Sequence, residues 1–307
     1  MEDIEFEIPT VPPLGATLTL PEQPRAAVLL VQGSGVHDRD GNMQAVGFKS
    51  TLYRRVAREF ARRFDVAVLR FDKRGSDKPA SAAQDYSIPQ RLDDLRAALD
   101  VLRERTAGLP LFLVGHSEGA MMVAKLAETE PVRGVVSLAA PFGNVFELQR
   151  ERARRLANDG KGAQQARGER ALEFYQQLEQ MFKEGARLLP EQFLEFASEY
   201  KDAGFQGWES YEWLAGHWAD ALQADPTKHG TPMLVVQGGR DARLWPDNDQ
   251  RWEKWCAARD LATYVRIDHM GHDLNDARQK AFRVDEDVLK LVGEWVGKQE
   301  PGAQATG

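Results

Sequence analysis

Ser117 lies at the centre of Gly115-His116-Ser117-Glu118-Gly119, a G-x-S-x-G spacing. A serine hydroxyl is a weak nucleophile until a base within hydrogen-bond reach takes its proton, and that base needs an orienting carboxylate. The residues around Ser117 have the pattern such a nucleophile requires. Leu111 to Val114 reads as a short buried strand and Ala120 to Glu128 as the opening of a helix. The serine then occupies a sharp strand-to-helix turn with its hydroxyl clear of the sheet. A turn this tight crowds the backbone at the positions two before and two after the serine, where a Cβ would clash, and both are glycine. The unpaired N–H groups at the start of the helix favour negative charge developing on the serine oxygen.

The elements that must position this serine are legible along the chain. Ala26 to Val31 and Val66 to Phe71 are continuous apolar runs, as in central parallel strands. Val135 to Leu138, Met233 to Val236 and Ala262 to Ile267 also read as strands, whereas Ile4 to Ile8 and Leu14 to Leu20 alternate. Helical stripes separate them: Leu52, Val56, Phe60 and Phe64 within 48–64; Leu92, Leu95, Leu99 and Leu102 after Ser87-Ile88-Pro89; then 249–258 and 281–296. Strands alternating with helices imply an α/β fold, a mostly parallel central sheet flanked by helices.

Between Phe142 and Gly230 no strand-like run occurs, and helical stripes follow one another (Leu172, Tyr175, Leu178, Phe182; Phe193, Phe196, Tyr200; Leu214, Trp218, Leu222). This stretch reads as a helical cap or lid inserted over the C-terminal edge of the sheet, with a mobile loop at Asn158 to Gly162. The expected organisation is a core of residues 1–141 and 231–298, a cap of 142–230 and a flexible tail of 299–307.

In open α/β sheets, functional groups gather at the carboxyl ends of strands. After Ser117, Asp241 follows one strand through Gly238-Gly239, and His272 follows the last strand through Gly271. The order Ser117, Asp241, His272 is that of a nucleophile, acid and base on such a sheet. Neither His269-x-x-His272-Asp273 nor His37-Asp38-Arg39-Asp40 is accompanied by further His or Cys at ligand spacing, so no metal is expected. Gly33-Ser34-Gly35 lacks the following Lys-Ser/Thr of a phosphate cradle.

From about Val28 to the final helix the chain resembles the serine α/β-hydrolase superfamily. The resemblance rests on the Gly115–Gly119 elbow, Gly238-Gly239-Arg240-Asp241 as the acid loop and Met270-Gly271-His272 as the histidine loop. Gly33-Ser34-Gly35-Val36-His37-Asp38-Arg39-Asp40-Gly41 is similar to a loop in a bacterial group of esterase-like and peptidase-like members. The resemblance implies an α/β-hydrolase fold and a Ser117–His272–Asp241 triad. It also implies an oxyanion hole made by the backbone N–H groups of Ser34 and Glu118.

Family spacing and the preceding glycine favour His272 over His269 as base, and Asp247 and Asp249 fall where a helix begins rather than at a strand end. His116, inside the elbow, reads as structural, its ring packed beneath the turn, and the resemblance has Asp72 and Arg74 brace loops. A cap over a serine site must line a pocket. Of the aromatic residues Trp208, Tyr211, Trp213, Trp218 and Trp245, we expect Trp213, Trp218 or Trp245 to contact substrate.

The expected activity is hydrolysis of small to medium carboxylic esters through an acyl-enzyme, with no cofactor. An aminopeptidase or amidase on the same fold is the alternative, and a non-catalytic receptor the remote one. A dehalogenase would need aspartate in place of Ser117.

Composition narrows the partners. A formal charge of −7 offers no basic excess for nucleic acid. Arg150, Arg152, Arg154 and Arg155 are interleaved with glutamates and read as a solvated helix face. Cys256, the single cysteine, excludes an intrachain disulfide. With no eighteen-residue apolar run and an acidic start at Met1 to Glu5, a cytoplasmic protein without a membrane span is expected. Oligomeric state leaves no signature.

Overall fold

Each apolar run becomes a strand buried on both faces. In the computed structural model, which describes residues 1–77, 86–203, 209–219 and 224–298, β1 (Glu2–Ile8), β2 (Leu14–Leu20), β3 (Ala26–Val31) and β4 (Val66–Phe71) precede the elbow. β5 (Leu111–His116) leads into it, and β6 (Gly134–Leu138), β7 (Met233–Gly238) and β8 (Ala262–Ile267) follow. They form one sheet in the order β1-β2-β4-β3-β5-β6-β7-β8. β1 and β2 pair antiparallel at the edge, and all pairs from β3 to β8 are parallel.

Alternation explains the continuous runs. Ala27, Leu29, Val31 and Leu113 face one apolar core, where helix α2 (Ile88–Arg105) and helix α3 (Glu118–Leu126) pack. Val28, Leu30, Phe112 and Val114 face the other, against α1 (Leu52–Phe64) and α9 (Glu286–Lys298). A residue that points either way meets apolar neighbours. Each buried leucine or valine contributes about 1.5–3 kcal/mol relative to exposure.

Two helix starts differ from the periodicity. α1 begins at Leu52 rather than Phe48, because Phe48 pairs back onto Met43 and its ring is left exposed. The last helix begins at Glu286 rather than Ala281, since Val284 bridges Asn275 and the Asp285 N–H donates to Leu274. That return holds the histidine loop. Ser87 caps α2 as its position suggests, accepting from the Gln90 N–H at 3.3 Å with Pro89 in the first turn. Helix α8 (Asn248–Ala257) buries Cys256.

Between β6 and β7, the described residues form α4 (Val145–Asp159), α5 (Ala163–Lys183), α6 (Pro190–Ser198) and α7 (Tyr211–Ala219). α4 and α5 meet backbone to backbone at Gly168, where an added Cβ would lie 2.2 Å from the Ala157 nitrogen. Phe174, Leu178, Phe193 and Trp213 join the same apolar core as α2 and α3, so this layer is continuous with the sheet's packing. Trp208, Leu222 and the tail 299–307 lie outside the described residues. Among the described residues no helix is long and apolar enough to cross a membrane.

Candidate active site

One residue separates β5 from α3. Ser117 has φ 55° and ψ −122°, a conformation that L side chains rarely adopt. The turn persists because its surroundings fit only this path. An added Cβ on Gly115 would lie 2.3 Å from the Gly119 oxygen, and one on Gly119 would lie 2.5 Å from the Val31 and Gln32 oxygens. The Ser117 N–H is tied to the Leu138 carbonyl at 2.8 Å. Gly33 abuts Ser117, whose Cβ lies 3.1 Å from where a Gly33 Cβ would stand.

The histidine and acid loops meet through glycines as well. A Cβ on Gly238 would lie 2.3 Å from the Met270 oxygen, and one on Gly239 2.7 Å from the Asp268 oxygen. With no side chains between them, the Arg240 N–H donates to Met270 at 3.0 Å and the Gly239 N–H to Ile267 at 2.9 Å. This docking sets His272 Nδ1 2.7 Å from Asp241 Oδ2 and His272 Nε2 3.1 Å from Ser117 Oγ. A hydroxyl, an imidazole and a carboxylate thus form a continuous relay. His269 is engaged elsewhere, its Nε2 2.8 Å from Asp285. Asp247 precedes α8 with its carboxylate on Arg251, and Asp249 lies in the first turn.

A second chain of hydrogen bonds runs behind the relay. The Gly33 N–H donates to Tyr53 Oη at 2.9 Å, Tyr53 Oη lies 3.0 Å from His116 Nδ1, and His116 Nε2 lies 2.8 Å from the His272 carbonyl. A carbonyl only accepts, so His116 Nε2 carries the proton and Nδ1 accepts from the Tyr53 hydroxyl. His116 therefore steadies the backbone of His272, a role more specific than packing beneath the turn. Nothing in the periodicity singled out Tyr53.

Comparison with known proteins agrees with this fold. The profile of the alpha/beta hydrolase family matches residues 28–284. The chain belongs to that family. It is 24% identical to Esterase EstD of Thermotoga maritima over 311 residues, covering 97% of this chain and 68% of that protein. Among solved structures, Est1E from Butyrivibrio proteoclasticus superposes with a TM-score of 0.56 at 16% identity, covering 95% and 96% of the two chains. A thermostable carboxyl esterase from Bacillus coagulans superposes with a TM-score of 0.60 at 15% identity, covering 96% and 98%.

In this alpha/beta hydrolase, Glu118 carries a side chain as consequential as its backbone. Its N–H opens α3 and has no intrahelical acceptor. Its carboxylate is 1% exposed, with Arg91 Nη1 at 3.1 Å, His217 Nε2 at 2.9 Å and Lys73 Nζ at 3.7 Å. The Trp213 indole N–H donates to it as well. Burial opposes the charge, yet Arg91, Lys73 and His217 hold the carboxyl well below its usual range. Lys73, Arg91 and His217 come from β4's end, α2 and α7, too far apart in sequence for any spacing to relate them. The one local signal was a charged residue at an otherwise apolar helix start.

The loop before the elbow is held by its own charges. Arg39 makes a forked pair with Asp72, and Arg70 pairs with Asp40. Asp38 accepts the N–H groups of Asp40, Gly41 and Asn42, each at 2.9 Å. Arg74 forks onto Asp94. The ligand atoms of His269, Asp276 and Asp285 gather within 4.8 Å, and Arg278 binds both oxygens of Asp276.

A cavity of about 1650 Å³ opens above Ser117 and His272, walled by Leu148 and Arg152 of α4 and by Phe174 and Tyr175 of α5. Arg152 thus faces this space rather than a featureless solvated face. The three expected tryptophans do not line it. Trp213 is turned inward to Glu118, Trp218 packs its ring at a tilt against Phe182 at 5.4 Å, and Trp245 lies under the Arg251 guanidinium at 5.1 Å. Rotation of α7, set by its inner apolar stripe, turned Trp213 and Trp218 away from the cavity, and Trp245 lies in the loop before α8.

Two buried imidazoles make the fold acid-sensitive. Burial, then the Lys73 charge, pushes His37 down to about 4. Burial, then the neighbouring His272, pushes His116 down to about 3. Both folded values lie below the unfolded value of roughly 6.5, so the unfolded chain binds more protons as the pH falls. The stability is whole above about pH 6.5 and is lost toward about pH 4, at up to ~1.4 kcal/mol per pH unit for each ring. Urea midpoints measured across that window should fall with uptake of roughly two protons on unfolding. Flat midpoints would mean that the rings are charged in the folded protein.

Proposed function

We propose that this alpha/beta hydrolase cleaves carboxylic esters of small to medium size. His272 takes the Ser117 proton as the oxygen attacks the ester carbonyl, and Asp241 orients and steadies the imidazolium. The tetrahedral oxyanion rests on the N–H groups of Ser34 and Glu118. The imidazolium returns its proton to the leaving alcohol, and water, activated by the same base, releases the acid. Residues 142–230 act as a cap that supplies the wall facing Ser117, and residues 1–141 with 231–298 are the catalytic core.

The observation that carries this reading is the Oγ–Nε2 and Nδ1–Oδ2 relay at 3.1 and 2.7 Å on the floor of an open cavity. The relatives named as esterases support the substrate class. A fluorophosphonate probe should label wild-type protein at Ser117 and leave Ser117→Ala unlabelled. A panel of p-nitrophenyl esters should be turned over far faster than aminoacyl anilides. Faster anilide cleavage would establish the amidase alternative, and failure of the probe to label would favour a non-catalytic receptor.

A further inference from the structure

The acyl-transfer chemistry makes no use of the Lys73 ammonium, yet it touches the machinery. Lys73 lies two residues beyond β4 with its side chain only 11% exposed, and its Nζ donates to the Gly33 carbonyl. The Gly33 carbonyl and the Ser34 N–H are the two ends of one planar peptide unit. A cation on the oxygen draws electron density through the amide, which makes the N–H at the other end a stronger donor. It also fixes the rotation of that peptide. The preceding unit is pinned independently, because the Gly33 N–H is held by Tyr53.

We propose that Lys73 is a positioning residue that orients and polarises the Gly33–Ser34 peptide, so that its N–H meets the oxyanion formed at Ser117. This inference rests on the serine hydrolase reading above. Neutralising Glu118 is the competing role, and the distances argue against it. Arg91 at 3.1 Å and His217 at 2.9 Å already attend that carboxylate, while Lys73 stands at 3.7 Å. The direct hydrogen bond of Lys73 is to Gly33. Glu118 instead attracts the ammonium at 3.7 Å, and its own N–H is the second donor. The two donors therefore share one buried brace.

The groups bearing on the ammonium come from several elements. Arg91 reaches it from α2, Glu118 from α3 and His37 from the loop after β3, and His217 of α7 meets Glu118 from the opposite side. Burial and then Arg91 push Lys73 down to about 7, with Glu118 opposing them. The ammonium is therefore lost as the pH rises above neutrality, and its support of the peptide is lost with it.

The test compares Lys73→Met and Lys73→Gln with wild type on a p-nitrophenyl ester and on a boronic acid that forms a tetrahedral adduct at Ser117. Methionine should lower kcat about tenfold or more, short of the roughly 10²–10³ that loss of a whole oxyanion donor costs. KM should stay within about twofold, and boronate affinity should weaken by about the same factor as kcat. Glutamine keeps an N–H for the Gly33 carbonyl and should recover part of the rate. Wild-type kcat should decline on the alkaline side of neutrality, and both variants should lack that limb. A folded Lys73→Met protein with unchanged kcat and boronate affinity, or with only KM raised, overturns the proposal. If methionine prevents folding, Lys73→Gln with wild-type kcat and an intact alkaline limb overturns it equally. Failure of the underlying reading shows differently, as wild-type protein that neither hydrolyses esters nor takes the fluorophosphonate label.

Discussion

Ser117→Ala should lower kcat for ester hydrolysis by about 10⁶, the scale on which subtilisin loses activity when its serine is removed. The substitution deletes the oxygen that His272 Nε2 faces at 3.1 Å. The oxyanion donors belong to the backbone and survive it, so a residual rate of roughly 10³–10⁴ over water should remain from them and from binding. Pre-steady-state kinetics should show no acyl-enzyme burst. Stability offers an internal control. Alanine inherits the positive φ of Ser117 with its strain, whereas Ser117→Gly relieves it and should raise the unfolding free energy by about 1 kcal/mol. If Ser117→Ala kept a tenth of the wild-type rate, the nucleophile would have to be another group.

The second large effect is expected from Asp241→Asn, with kcat reduced by about 10⁴ at neutral pH, as for the corresponding change in a serine protease. The cause is a tautomer. The carboxylate 2.7 Å from His272 Nδ1 only accepts, so the proton stays on Nδ1 and Nε2 is free to take the serine proton. An amide turned with its NH₂ toward Nδ1 reverses this and leaves Nε2–H pointing at Ser117. Fluorophosphonate labelling should slow in proportion, while the thermal midpoint changes little. Among the described residues, the carboxylates nearest in sequence to the acid and histidine loops are held in ion pairs. Asp249 pairs with Arg266, Asp247 with Arg251 and Asp273 with Arg243. A loss of less than tenfold would show that the acid is not Asp241.

What could be read from residues alone follows a physical division. Glycine at Gly115, Gly119, Gly238 and Gly239 is legible because a backbone contact at 2.3–2.7 Å excludes any Cβ, whatever the rest of the fold does. Those glycines mark the two places where loops must dock, and Ser117, Asp241 and His272 sit beside them. Tyr53, Lys73, Arg91 and His217 carried no such mark. Each looks like an ordinary member of a helix or a strand end, and each acquires its partner from an element 20 to 99 residues away.

The tryptophans show the same division from the other side. Their abundance in 208–218 is plain in the sequence, but whether a ring on α7 faces a cavity or an ion cluster depends on how the helix is rotated. The Trp213 N–H went to Glu118 because a buried carboxylate must be satisfied, a demand created only when the elbow and α7 meet. The start of α9 failed for a related reason. A helical stripe continues through Ala281 to Asp285, but the backbone there pairs with the histidine loop instead.

By itself, then, the sequence determined the run of strands and helices, the sharp turn at Ser117 and the order in which Ser117, Asp241 and His272 follow strand ends. These depend on apolar periodicity and on glycine sterics, which act over a few residues. Only the tertiary structure decided that Tyr53 and His116 tie Gly33 to the backbone of His272, that Lys73 pairs with Glu118 beneath the elbow, and that Arg152 rather than a tryptophan faces the cavity. Burying a charge or an N–H has a cost that depends on every neighbour at once, and those neighbours exist only after the chain has closed on itself.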